Sequence, residues 1–195
     1  MKSRYWWFLA AVAFASGCGK QERIESVQLS QALKKNQANF ATANSVEKDF
    51  VSNARAWSAG ITANGAGHGV ELDQNATVAT ELAKSAIAIG AQLGQVRQAV
   101  YDLSLKEEYP QNVRDSLITE LAKRQRLLQD MRALLQQSVQ DFVEYRHSKT
   151  YAGDTYPSGI GQLDALLQAY KPPEDAVESA LAGLKTKYKL RDTEL

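Results

Sequence analysis

Residues 72–103 read LDQNATVATELAKSAIAIGAQLGQVRQAVYDL. Leu72, Ala79, Ala86, Leu93 and Val100 recur every seven residues, and Leu82, Ile89, Val96 and Leu103 repeat with the same period. An alternation with period two, as in a half-buried strand, is nowhere present, so the segment reads as a long amphipathic helix. A heptad held over this length favours neighbouring helices at a shallow left-handed crossing angle. Asp73 is a plausible N-cap. Gly90 and Gly94, beside Ala83 and Ala86, make a strip of small residues where another helix can approach closely. Around that strip the uncharged run is residues 85–96, bounded by Lys84 and Arg97, which is too short to span a bilayer, so the expectation is a buried bundle helix.

The same clock runs on both sides. Stepping alternately four and three residues from Leu29 meets Leu33, Asn36, Phe40, Ala43, Glu47, Phe50, Ala54, Trp57 and Ile61, which predicts a helix over residues 24–58. Pro110 suits the first turn of a third helix that runs to about His147, with a seam of Leu117, Leu121, Arg124, Leu128, Met131, Leu135, Ser138, Phe142 and Tyr145. Arg124 on that seam reads as a guanidinium snorkelling at the bundle edge, with pairing to a buried carboxylate as the other option. Residues 162–170 form a short helix that Pro172 and Pro173 interrupt, and residues 174–188 resume with Val177, Leu181, Leu184 and Tyr188 on one face. The predicted fold is all-α: an elongated antiparallel bundle of three long helices, each roughly 50 Å long at 1.5 Å per residue, plus a Pro-broken C-terminal helical pair.

Composition narrows the chemistry. The chain has 195 residues, 44% hydrophobic and 23% charged, with 23 basic and 22 acidic side chains. Such a balance suits one globular domain and gives no lopsided charge for nucleic acid. A single cysteine allows no internal disulfide, and one cysteine with two histidines leaves few ligands for a transition metal.

The N-terminus reads as an address. Lys2 and Arg4 precede the uncharged apolar run of residues 5–15, which is too short for a stable bilayer span and has the form of a secretory signal peptide. It ends Ala15-Ser16-Gly17-Cys18, which resembles the bacterial lipobox, with Ala15 where leucine is usual. The resemblance covers about the first twenty residues. It implies a signal peptide over residues 1–17, removal of which leaves a near-neutral body. It also implies covalent lipid on Cys18 and a short lipidated tether over residues 18–23, after which the helical pattern predicts a single helical-bundle domain over residues 24–195. Gly19 stands where the inner-membrane retention signal of enterobacterial lipoproteins has aspartate, which implies the periplasmic face of the outer membrane.

With helices running up, down and up, the loop of residues 60–71 meets that of residues 148–161 at the end distal to the anchor. This gathers His68, Glu71, His147, Tyr151, Asp154 and Tyr156 as a candidate binding tip, since long Gly-rich loops on a rigid scaffold commonly carry binding function. His68 and Glu71 have a spacing that can place two metal ligands on one helical face. The pair is similar to the GxHxxE signature of imelysin-like envelope proteins, with Ala66 in the glycine position, and that family's metal function is not carried over. Residues 60–69 lack the Gly-Lys-Ser/Thr ending of a phosphate loop, and no GxSxG elbow occurs. The expectation is a noncatalytic lipoprotein, without cofactor or metal, that binds or positions another envelope component, a protein first. A small-ligand sensor with its pocket at the Gly90–Gly94 strip is the alternative, and a metal-dependent imelysin-like protein a further one.

Overall fold

A computed structural model describes residues 5–148, 156–170 and 175–194, with side chains from Gly19 onward. The elements are α1 (Tyr5–Asn64), α2 (Val70–Tyr101), α3 (Glu108–His147), α4 (Ile160–Ala169) and α5 (Ala176–Tyr188), then a 3-10 turn at Asp192–Glu194. No strand occurs among the described residues, and the fold is an all-α helical bundle. Also among them, no helix is long and apolar enough to cross a membrane.

The seams are where the periodicity puts them. Leu82, Ile89, Leu93, Val96, Leu121, Leu128, Leu135 and Phe142 are all buried, as are Leu29, Leu33, Phe40, Phe50, Trp57 and Ile61. The boundaries differ. Rather than ending near residue 58, α1 runs through Gly60 to Asn64, because Ile61 belongs to the core and its burial outweighs the roughly 1 kcal/mol a helical glycine costs. Gly65, with φ +74°, ends the helix by turning left-handed while its N–H donates to the Ile61 carbonyl at 2.8 Å. Residues 19–23, read as a tether, are continuous helix. Asp73 is not the N-cap of α2. The helix starts at Val70, and Asp73 lies in its first turn, where negative charge still favours the helix dipole.

The chain forms two compact units. One comprises Met1–Ala38, Val96–Glu120 and Asp175–Leu195, and the other Asn39–Gln95 and Leu121–Glu174. In the second unit, Trp57 of α1 meets Phe142 of α3 edge to face at 6.2 Å, and Asp73 in the first turn of α2 pairs with Arg146 in the last turn of α3. With the Glu47–Arg124 pair and the Gln125–Gly90 bond as second contacts, α1 and α3 run parallel there and α2 runs antiparallel to α3.

Arg124 is no snorkel. It is 4% exposed and forms an ion pair with Glu47, which is 1% exposed. The guanidinium also donates to Asn44 Oδ1 at 2.7 Å and lies 5.1 Å from the centre of the Phe40 ring. Tyr170 donates its hydroxyl to the other Glu47 oxygen at 2.8 Å. Burial, reinforced by the Glu47 carboxylate, pushes the Tyr170 phenol well above its ordinary value, so it remains a donor. Arg55 of α1 donates to the carbonyls of Leu167 and Tyr170 at the C-terminus of α4. Asp141 of α3 accepts from Ser158 N–H at 2.6 Å, just before the same helix begins. Arg55 thus meets the last carbonyls of α4, where positive charge favours the helix dipole, while Asp141 fixes the backbone just ahead of its first turn.

The first unit repeats this logic. Glu25 of α1, 2% exposed, accepts from the backbone N–H groups of Lys106 at 2.7 Å and Glu107 at 2.8 Å, where α3 begins. Burial pushes this carboxyl up, but the Gln21 amide and those two N–H groups outweigh it and hold the pKa below 4.5.

Glu47→Ala should destabilise the protein by about 3–5 kcal/mol, because Arg124 is left buried and unpaired. Glu47→Leu combined with Arg124→Met should recover most of that loss, as read by urea unfolding. A Glu47→Ala protein of unchanged midpoint would show that the pair is not desolvated. For Glu25 the folded pKa lies below the unfolded one, so the ionised carboxylate contributes fully above the ordinary value of 4.5, and the contribution is lost as pH falls through the lowered folded value. The stability difference between wild type and Glu25→Gln should therefore be constant near neutrality and shrink in acid. A difference that grew in acid would reverse the assignment.

Candidate functional site

Three glycines shape the bend between α1 and α2. Gly65, Gly67 and Gly69 all have positive φ, at 74°, 76° and 50°. Gly67 is doubly constrained, since a Cβ there would also overlap the Glu71 carboxylate. That carboxylate turns back to accept the His68 backbone N–H at 3.1 Å, while the Glu71 N–H donates to the His68 carbonyl at 2.9 Å. His68-x-x-Glu71 therefore has the spacing and the bonding of the carboxylate half of a capping box. The spacing that suggested paired metal ligands serves here to start a helix.

One turn on, Asn75 of α2 donates its amide to the carbonyl of buried Ala66 at 3.1 Å, holding the bend against the helix. A cleft of about 360 Å³ opens beside it, lined by Trp57, Asn64, Gly67, Glu71, Gln74 and Asn75 among others. The volume lies within the range of small-ligand sites, roughly 300–1,000 Å³. Carboxamides and peptide groups dominate the named walls, and Glu71 is the one ionisable side chain among them. A neutral or cationic hydrogen-bonding group suits such a surface better than an anion.

The Asp73–Arg146 pair brings the first turn of α2, which carries Glu71, to the last turn of α3, which carries His147. Tyr145 donates its hydroxyl to the Tyr156 carbonyl at 2.7 Å, so the backbone at Tyr156 rests on the same turn of α3. His68, Glu71, His147 and Tyr156 are exposed. Tyr151 and Asp154 lie outside the described residues. Among the described residues, no group of three His, Cys, Asp or Glu side chains is arranged to hold a metal.

The small-residue strip of α2 is occupied. Gln125 of α3 donates to the Gly90 carbonyl at 2.8 Å, and a Cβ on Gly94 would come within 2.9 Å of the same amide nitrogen. The space left beside it is about 170 Å³, below the range of ligand pockets. The strip thus accommodates a side chain of the bundle itself.

Sequence reasoning missed Trp57, Asn64, Gln74 and Asn75 as cleft residues, because carboxamides within a helical pattern carry no spacing of their own. The glycine triplet was the available signal. Comparison of the chain with protein-family models, curated proteins and solved structures returned no match.

Glu71→Ala should cost roughly 1 kcal/mol as a lost cap, and Gly67→Ala more, since it strains the backbone as well. Added zinc should leave the unfolding midpoint of wild type unchanged. A zinc-dependent rise abolished by Glu71→Ala would instead make His68 and Glu71 ligands.

Proposed function

We propose that this chain is a lipid-anchored protein of the bacterial cell envelope that binds another envelope component, a protein first, without catalysing a reaction. The observation that carries the reading is the sequence Ala15-Ser16-Gly17-Cys18 at the end of an apolar run, with the chain's only cysteine at the acylated position. Two acyl chains suffice to hold a protein stably on a membrane. Gly19 favours the periplasmic face of the outer membrane.

The bend at residues 65–69 is the best-supported contact surface. Its backbone is fixed by Glu71, Asn75 and the Ile61 carbonyl, and exposed polar groups surround a cleft. A partner that docks there meets a preorganised surface and orders little on binding.

Cys18→Ser should abolish fatty-acid labelling and release the protein from membranes, whereas full labelling of that variant would contradict the anchor. A photo-crosslinking residue at Gln74 should yield a discrete envelope adduct in living cells that the same residue at Ser85 does not. Identical patterns from the two positions would contradict binding at the bend.

A further inference from the structure

The helix that contains Cys18 enters the folded body almost at once. Glu22 is approached by Lys187 at 3.4 Å, and Arg23 meets Glu194 at 2.6 Å. Both contacts join the start of α1 to the C-terminal segment within one compact unit. Gln21 and Glu25 continue the helix, and Glu25 in turn holds the start of α3 through the Lys106 and Glu107 N–H groups. Between Cys18 and the first of these long-range contacts lie only Gly19, Lys20 and Gln21, all helical. Four helical steps from Cys18 to Glu22 amount to about 6 Å, so the connection has no slack.

We propose that the end of this unit formed by the first turns of α1, the turn at Lys106 and the segment after α5 rests directly on the phospholipid headgroups that hold the Cys18 lipid. The inference depends on lipidation of Cys18, as proposed above, and adds the stance that lipidation imposes. A flexible tether lets an anchored domain stand off from the bilayer, whereas a helix locked into the domain within four residues does not.

The charges beside the anchor fit the same partner. At the start of α1 and after α5 the carboxylates are matched within the unit, Glu22 by Lys187, Asp192 by Lys185 and Glu194 by Arg23, whereas Glu107 and Glu108 at the Lys106 turn make no ion pair among the described residues. Lys20 and Lys189 are exposed and make no ion pair among the described residues, which leaves ammonium groups free for lipid phosphates. Lys189 is held in place by the left-handed turn that ends α5.

The test uses the full lipidated protein in vesicles of phosphatidylethanolamine and phosphatidylglycerol that contain a headgroup spin-labelled lipid. Because the lipid occupies the only native thiol, Lys106→Cys and Lys35→Cys can each be given a fluorophore singly. Lys35 lies in the same unit, roughly 25 Å along α1 from Cys18. Quenching should be several-fold stronger at residue 106 than at residue 35. A flexible Gly/Ser insertion between Cys18 and Gly19 should remove most of that difference. Equal quenching at the two positions, strong or weak, with lipid present on the N-terminal peptide by mass spectrometry, would overturn the docked stance and leave the anchor intact. Absence of the lipid would overturn both.

Discussion

One guanidinium, that of Arg124, sits among the side chains of Phe40, Asn44 and Glu47 with almost no access to water. Such a group is tolerable only where a carboxylate meets it, and Glu47, with Asn44, does so at Nη2, while Nε and Nη1 are buried without a hydrogen-bond partner among the described residues. That requirement ties α1 to α3 at one register. Leucine and alanine seams with a seven-residue period would be nearly as well satisfied after a slip of one heptad, but Arg124 opposite any other α1 position would be a buried, unpaired cation. Tyr170 extends the constraint to the end of α4 through its bond to Glu47, and Arg55 holds the carbonyls of that same end.

The register in turn builds the bend. Trp57 and Ile61 lie on the α1 seam beyond Glu47, and the Ile61 carbonyl accepts the Gly65 N–H that ends the helix. Asp141, Phe142 and Arg146 lie on α3 beyond Arg124 and hold, respectively, the start of α4, the Trp57 ring and the first turn of α2. Exposed side chains around the cleft are thus carried on backbone fixed from beneath. A recurrent device is the acidic side chain donated by one element to the start of another: Glu25 to α3 and Asp141 to α4. Glu71 does the same within its own helix.

The core was legible because burial follows helical period, and every seam position from Leu82 to Val96 on α2 obeys it. Even the polar seam residues Glu47 and Arg124 were visible as exceptions to that period, although their pairing was not, since it depends on which turns of two helices meet. Glu25 and Asp141 gave no signal. Each lies beside the seam rather than on it, and its role depends on a chain end brought near by folding. Helix boundaries moved for two reasons: burial of Ile61 carried α1 past Gly60, and the local Glu71 back-bond set the start of α2 ahead of Asp73. The His68–Glu71 spacing was read for its chemistry when the local backbone already had a use for it, because ligand pairs and capping boxes share an interval of three residues.

Whether the buried pair sets the register can be measured without reference to stability. Spin labels at Val46 of α1 and Lys123 of α3, in a Cys18→Ser background, report the alignment of the two helices within one unit. The wild-type sequence should give a single narrow distance distribution. Glu47→Leu with Arg124→Met, folded but without the pair, should give a broadened or two-peaked distribution, the added component at longer distance coming from molecules in which one helix has slid by one heptad, about 10 Å at 1.5 Å per residue. A single narrow peak at the wild-type distance in that variant would contradict the account and assign the register to apolar packing alone.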